Sequence, residues 1–500
     1  MTVKYLQSID LKNIPSNIKD VNKKALNSQY FTPMEVGKFM STMFKNNKKR
    51  NLNILDPGCG TGNLTLALIS EICEWSIKPQ TIEILLFEID CDLIHELKVN
   101  MMWAKEYCFS MGIKLNYIIK NEDFIFNSVK NLQTKQMEKF DYIIMNPPYK
   151  KLGTESEHNK ILLKINIDVP NYYAAFIALS CELLNTNGQL VFIVPRSFCN
   201  GKYFEKFRVK LVNNYKLEHI HLFEDREGIF YDDVLQETLI ISLKNKTPNF
   251  SNPVNISHSK DVNFENVSLV TKRLENIVFP TDDEKIIRLI NEESEEIVDI
   301  INNLPCTLDE LRIQVSTGPI VDFREKGTIS ENPTLFSLPM IYSENIIKGR
   351  VLWPLEGKKP GYIIMDEKNR NNLRSPGIYV IVKRMSSKEE LRRISAGIFN
   401  SEETAPNQYV GFDNKVNYYH INKQGLQSLD VAKGLTAFLN STLVDFYFRT
   451  YSGSTQVNVS DLKKLRYPSF QQLEMLGKQI QVENLGLDEV NEFIRNIVTG

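Results

Sequence analysis

Leu52-Asn53-Ile54-Leu55-Asp56-Pro57-Gly58-Cys59-Gly60-Thr61-Gly62-Asn63 is the stretch that decides the fold. An apolar run of strand length passes into a loop with glycine at every second position, and a helical pattern opens directly after it. Glycine lets the backbone turn tightly and come close to a ligand. Outward from this stretch the same alternation repeats. Residues 53–55, 82–87, 117–119, 142–145, 190–194 and 238–243 read as buried strands, and 64–73 and 172–184 as helices. Such alternation predicts an α/β domain with a doubly wound, mostly parallel, Rossmann-like sheet. Around residues 246–261 Asn, Ser, Pro and Lys break the pattern, which suggests a linker and a boundary near residue 255. Residues 1–255 are therefore expected to form the first domain, and residues 256–500 a second, mixed α+β domain. In the second, helical periodicity is clean only over 431–448.

A chain of 500 residues is long enough for two or three domains. A 42% hydrophobic and 24% charged composition is that of a globular rather than a disordered protein. No apolar run approaches the roughly twenty residues that span a bilayer, and no signal-peptide core opens the sequence, so a cytoplasmic protein without a membrane partner is expected. Seven cysteines without CxxC spacing suggest reduced thiols and no zinc site, and no metal is expected. With a net charge of −1, the chain as a whole does not advertise nucleic acid. Residues 368–393, however, hold eight Lys or Arg against two acids, a local basic cluster.

The glycine loop alone could serve a dinucleotide. Two acids argue for another ligand. Asp56 stands before Gly58, Gly60 and Gly62, where a cationic amino group suits better than a pyrophosphate. Glu88 ends the next strand, Leu85-Leu86-Phe87-Glu88, where it could accept from both hydroxyls of a ribose, with Ile89 beside it. After the third strand, Asp123 and Phe124 could bracket an adenine, the acid accepting from its amino group and the ring covering its face. Three acids at three successive strand ends fall where ligands bind in open α/β sheets.

The most specific segment is Phe140-Asp141-Tyr142-Ile143-Ile144-Met145-Asn146-Pro147-Pro148-Tyr149. A buried strand runs into a stiff Pro-Pro turn flanked by an amide and an aromatic. Two prolines fix φ and remove donors, leaving carbonyls to face a pocket. This suits methylation of a planar, weakly nucleophilic amino group. The Asn146 side-chain oxygen and the Pro147 carbonyl can accept its two hydrogens and aim the nitrogen lone pair at a sulfonium methyl. Pro148 stiffens the corner, and Tyr149 offers a π face to the target. Orientation and acceptor dipoles carry such a reaction without a metal.

With these residues in hand, the chain resembles the gamma-class N6-adenine DNA methyltransferases of type II restriction–modification systems, and its second half looks like those of the PstI and BsuBI type. The resemblance implies an S-adenosylmethionine-dependent catalytic domain followed by a DNA target-recognition domain, with S-adenosylhomocysteine as product. Asn27-Ser28-Gln29-Tyr30-Phe31-Thr32-Pro33 is similar to the class's N-terminal cofactor segment, with Thr32 and Pro33 closing over the methionine end and Tyr30 near a flipped base. Ile229-Phe230-Tyr231-Asp232-Asp233-Val234 is similar to the segment supplying a second aromatic wall, which assigns Phe230, with Tyr231 as the substitute, to stacking opposite Tyr149. Residues 382–390, 438–445, 454–458 and 465–468 match the PstI/BsuBI pattern. Lys383, Arg384, Arg392 and Arg393 are expected to hold DNA phosphates, and Gln456 and Asn458 to reach base edges.

The implied partners are double-stranded DNA and, functionally, a restriction endonuclease, with the enzyme acting as a monomer. Because a base inside a duplex is out of reach, the adenine must be flipped out. Residues 150–170, polar and Lys-rich, are a candidate loop over that base. Enzymes that methylate protein glutamine or RNA share the Asn-Pro-Pro-Tyr chemistry. Thr32-Pro33 and the long second half favour DNA over these. Cytosine N4 is disfavoured by motif order, and a non-catalytic DNA-binding subunit by the joint presence of Asp56, Glu88, Asn146 and Tyr149.

Overall fold

The computed structural model describes residues 32–135, 138–223, 238–280, 282–289, 292–325, 327–355, 357, 359–387, 390–452, 455–480 and 487–499. Two compact units divide the chain, Met1–Ile287 and Arg288–Gly500.

In the first unit the strands are β1 (Asn51–Asp56), β2 (Thr81–Phe87), β3 (Lys114–Lys120), β4 (Phe140–Met145), β5 (Leu184–Pro195), β6 (Lys216–Phe223), β7 (Thr238–Lys244), β8 (Pro253–Ser259) and β9 (Ser268–Arg273). They form one nine-stranded sheet in the order β3-β2-β1-β4-β5-β7-β6-β8-β9. Strands β1 to β5 pair in parallel, and β7 runs antiparallel between β5 and β6. This is the doubly wound, mostly parallel sheet that the alternating pattern predicts. All six expected strands are present. Every residue of β4 is buried, as befits a strand covered on both faces.

The helices of this unit are α1 (Met34–Thr42), α2 (Asn63–Glu74), α3 (Ile94–Ser110), α4 (Phe124–Thr134), α5 (Glu157–Leu163), α6 (Tyr172–Glu182) and α7 (Glu205–Asn214). Three of them start at a side-chain cap. Asp123, Ser156 and Asn171 cap α4, α5 and α6 by accepting from Phe126, Asn159 and Ala174 amides. The order of strands reverses between β1 and β4. There the crossovers on either side leave a crevice at the carboxyl ends, the place where such sheets bind ligands.

The first unit runs past the boundary expected at residue 255. The Asn-, Ser- and Pro-rich stretch that reads as a linker contains β8, which pairs in parallel with β6, and β9 then pairs antiparallel with β8. Sheet pairing outweighs the local turn composition.

The second unit is mixed α+β. One six-stranded sheet has at its centre Ile378–Lys383 between Val416–His420 and Ala396–Asn400, and a four-stranded sheet includes Ser337–Ile341 and Tyr362–Ile364. The expected helix over 431–448 is two helices, Leu429–Leu439 and Thr442–Tyr451. Asn440 breaks it because its side chain pairs with the Ala396 backbone, accepting from N–H at 3.0 Å and donating to the carbonyl at 2.9 Å. No helix among the described residues is long and apolar enough to cross a membrane.

Candidate active site

The glycine loop leaves β1 and enters α2 at the switch point. Cys59 N–H donates to the Phe87 carbonyl at 3.0 Å, tying the loop to the end of β2. Gly62 starts α2 with φ +92°, and a Cβ there would lie 2.9 Å from Leu97 Cδ1, so the turn needs glycine. A cavity of about 310 Å³ opens above the loop. Its wall includes Gly58, Gly60, Glu88, Ile89, Asp123, Phe124, Thr32, Asn146, Pro147 and Pro148, so ten of the expected site residues, drawn from five separate stretches, meet around one space.

Glu88 is 7% exposed. Its Oε2 accepts from Gly60 N–H at 2.8 Å and its Oε1 from Asp90 N–H at 2.8 Å. Burial pushes its carboxyl above the ordinary glutamate value despite those two amides. Asp123 caps α4, its Oδ1 accepting from Phe126 N–H at 2.9 Å. Burial works against its ionisation, but the hydrogen bond from His158 and the Phe126 amide outweigh it and hold the carboxyl below the ordinary value. Phe124 stands edge-on to Phe87, ring centroids 5.3 Å apart, and 5.0 Å from Phe176. That end of the cavity is an aromatic slot with an acid at its mouth.

At the other end, Asn146 leaves β4. Its Nδ2 donates to Thr32 Oγ1 at 3.0 Å, which makes Oδ1 the accepting end of the amide. The Thr32 carbonyl in turn accepts from Asn63 Nδ2 at 3.4 Å. Thr32 thus ties the start of α1 to both Asn63, at the end of the glycine loop, and the tetrapeptide, and Pro33 is the N-cap of α1.

In the first unit, four of the expected site residues among the described ones do not line this cavity: Pro33, Asp56, Gly62 and Tyr149. Asp56 is fully buried beneath the loop, outside the cavity wall, and its Oδ2 accepts from Thr65 Oγ1 at 2.7 Å. It clamps the loop to α2. Gly62 shapes the turn without lining the cavity. The Tyr149 hydroxyl donates to the Ile193 carbonyl at 3.1 Å, which fixes the ring near Tyr173 but off the cavity wall. Tyr30 and Phe230 lie outside the described residues.

Sequence patterns alone did not single out His158, Tyr172, Phe176, Lys150 or Cys59, all of which line the cavity. Phe176 has a local signal, since it sits on the apolar helix α6, and Lys150 and His158 fall in the polar stretch 150–170 expected near the target base, though neither was named individually.

In the second unit the basic cluster is mostly spent on internal bonds. Arg393 is 1% exposed, its Nη1 donates to the Ser452 carbonyl at 3.4 Å, and its guanidinium lies over the Phe448 ring at 5.5 Å, so it cannot meet a phosphate directly. Arg392 donates to the Asn440 carbonyl at 2.7 Å. Asn458 caps the helix Val459–Lys463 with Asp461, which is a structural role. Arg384 donates to the Asn414 carbonyl at 3.0 Å and lies 3.5 Å from Gln456 Oε1, and Lys383 pairs with Glu390 at 3.0 Å. Lys383, Arg384 and Arg392 stay partly exposed.

Residues 70–230 match the family model described as Eco57I restriction-modification methylase. The sequence is 39% identical to the type II methyltransferase M.BsuBI of Bacillus subtilis over 99% of this chain and 98% of that protein. It is 35% identical to the type II methyltransferase M.PstI of Providencia stuartii over 93% of this chain and 92% of that protein.

Proposed function

Since this chain belongs to the family of type II methyltransferases of restriction–modification systems, we propose that it is a site-specific DNA methyltransferase that uses S-adenosylmethionine and modifies N6 of a flipped adenine. The observation that carries the reading is the Asn146 amide, held by Thr32 at the edge of a cavity whose far end is walled by Glu88, Asp123 and Phe124.

The residues fit that cofactor. Glu88 accepts from the Gly60 and Asp90 amides and Asp123 from the Phe126 amide and His158, and a carboxylate oxygen has more than one acceptor position, which leaves room for a ribose hydroxyl or an adenine amino group. Phe124 and Ile89 supply apolar cover for a purine. A bound S-adenosylmethionine supplies an electrophilic methyl group on a cationic sulfur. The chain's own part is orientation. Asn146 Oδ1 and the Pro147 carbonyl accept the two hydrogens of the target amino group and draw its lone pair out of conjugation, so that acceptor dipoles set in advance do the catalytic work. Asp56, raised by burial and clamped to Thr65, keeps the loop in place. Tyr149 and Phe230 are the proposed walls for the flipped base. The second unit is the proposed target-recognition domain, with Lys383, Arg384 and Arg392 toward phosphates and Gln456 toward a base edge. A cognate restriction endonuclease is the proposed functional partner.

The test is to express the protein in cells that lack adenine methylation and sequence their DNA by a method that detects N6-methyladenine. One short motif modified throughout is the expected result. Unmodified DNA, or modification at cytosine, would reject the reading.

A further inference from the structure

Between the tetrapeptide and α6 the chain forms a closed strap. Leu152 N–H donates to the Pro170 carbonyl at 3.1 Å and Tyr172 N–H to the Lys150 carbonyl at 3.0 Å, so its two ends run side by side. Within it Leu152, Leu162, Ile167 and Val169 are buried. Four apolar side chains of the strap are thus withdrawn from water, and its helix α5 packs against α4. Ser156 Oγ accepts from Asn159 N–H at 3.2 Å and sets the first turn of α5, which carries His158.

His158 joins this strap to the cofactor end of the cavity. Its Nε2 lies 3.0 Å from Asp123 Oδ2 and its Nδ1 3.0 Å from the Tyr172 hydroxyl. Its ring also rests 4.6 Å from that of Phe126. A carboxylate only accepts, so Nε2 carries the hydrogen of the first pair, and a neutral ring then accepts from Tyr172 at Nδ1. Phe126 N–H holds the other Asp123 oxygen. Both oxygens of Asp123 are fixed in direction, one by its own helix and one by the strap.

We propose that His158 is a positioning residue for the cofactor's adenine, holding Asp123 as the acceptor that separates a 6-amino purine from a 6-oxo purine. The inference rests on the S-adenosylmethionine reading of the cavity. A 6-amino group donates to Asp123, whereas a 6-oxo group turns a lone pair toward it, so a rigid carboxylate rejects the second. A carboxylate free to rotate can turn into water and loses that power. Selectivity of this kind depends on buried polar groups held by a second set of partners. The strap follows the tetrapeptide directly, so the same contact makes it part of the cofactor site.

Calorimetric titration of the full-length protein with S-adenosylhomocysteine and with its 6-oxo analogue, S-inosylhomocysteine, tests this. The wild type should favour the adenosyl ligand by about a hundredfold. His158→Ala should cut that preference about tenfold, mainly through weaker adenosyl binding. His158→Gln, whose amide N–H can replace Nε2–H, should recover most of it. Tyr172→Phe keeps the ring and loses only the hydroxyl on Nδ1, and should lower the preference about threefold. A merely structural role would weaken both ligands alike, and an unchanged preference in His158→Ala and Tyr172→Phe overturns the proposal. Wild-type protein that binds neither ligand would overturn the S-adenosylmethionine reading itself, and the inference with it.

Discussion

Thr32 and Asn146, 114 positions apart in the chain, are joined by a hydrogen bond from Asn146 Nδ2 to Thr32 Oγ1 at 3.0 Å. Thr32 is 5% exposed, so water is a poor substitute for this acceptor. The bond decides which end of the Asn146 amide is left to accept. Thr32→Val keeps the shape and removes the acceptor. It should lower kcat about tenfold while changing S-adenosylhomocysteine affinity by less than threefold, because about 1–3 kcal/mol of buried donor is left unsatisfied. Steady-state kinetics beside a binding titration check this; equal losses in both would assign Thr32 to the cofactor alone.

Asn146→Ala removes the proposed acceptor itself. Methyl transfer to DNA should fall at least about a hundredfold, the scale of losing one preorganised polar group in a transition state, with cofactor binding spared. Single-turnover assays measure it, and undiminished transfer would refute the role.

Asp56 sets a pH window. Burial pushes its carboxyl up to about 7, against the hydrogen bond from Thr65. The folded protein therefore holds a proton there that the unfolded chain, titrating near 3.8, has lost. This contribution to stability is complete at low pH and disappears as pH rises toward about 7. Asp56→Asn cannot ionise, so its stability relative to wild type should improve steadily from pH 4 to 7 and level off above. Urea midpoints across that range, without ligand, report it. A constant difference would show that Asp56 ionises normally in the fold.

His219 and His221 set an opposite one. Burial lowers them to about 4 and about 3, and the neighbouring Lys45, for His219, and His219 and His258, for His221, add to the effect. His221 is wedged between the rings of Phe39 and Phe223, 4.4 and 4.8 Å away, with Ser257 Oγ at 2.8 Å from Nδ1. The unfolded chain takes up these protons near 6.5 and the fold resists them. Stability should therefore fall as pH drops from about 6.5 to 4. His221→Gln should make that fall shallower in near-ultraviolet circular dichroism; an unaltered acid profile would clear this cluster of responsibility.

Arg393 and Lys383 separate structure from DNA contact. Arg393→Met should lower the melting temperature of the protein and leave the salt dependence of DNA binding alone, since the guanidinium is buried. Replacing Lys383 and Arg384 together with Ala should reduce the slope of log affinity against log salt by about two, one for each lost phosphate contact. Binding titrations at several salt concentrations distinguish them, and an unchanged slope would take that pair out of the interface.

Local chemistry determined part of this protein in full view of the sequence. The apolar runs of β1, β4 and β5 are buried on both faces, so they read as strands without any knowledge of their neighbours. The glycine loop, the Pro-Pro corner and the acids at strand ends were legible for the same reason, because backbone stiffness and strand-end position are properties of short segments. What needed the tertiary structure were relations between distant segments. β8 looked like a linker because its Asn and Ser residues favour turns, and only pairing with β6 makes it a strand. Arg393 looked like a phosphate ligand until packing over Phe448 buried it. Asp56 looked like a ligand contact until Thr65 claimed one of its oxygens. The polar stretch 150–170 was legible as a loop near the site, but nothing in it marked His158, whose partner Asp123 lies 35 positions away. Side-chain partners are chosen by the folded chain's geometry, which no single stretch of residues contains.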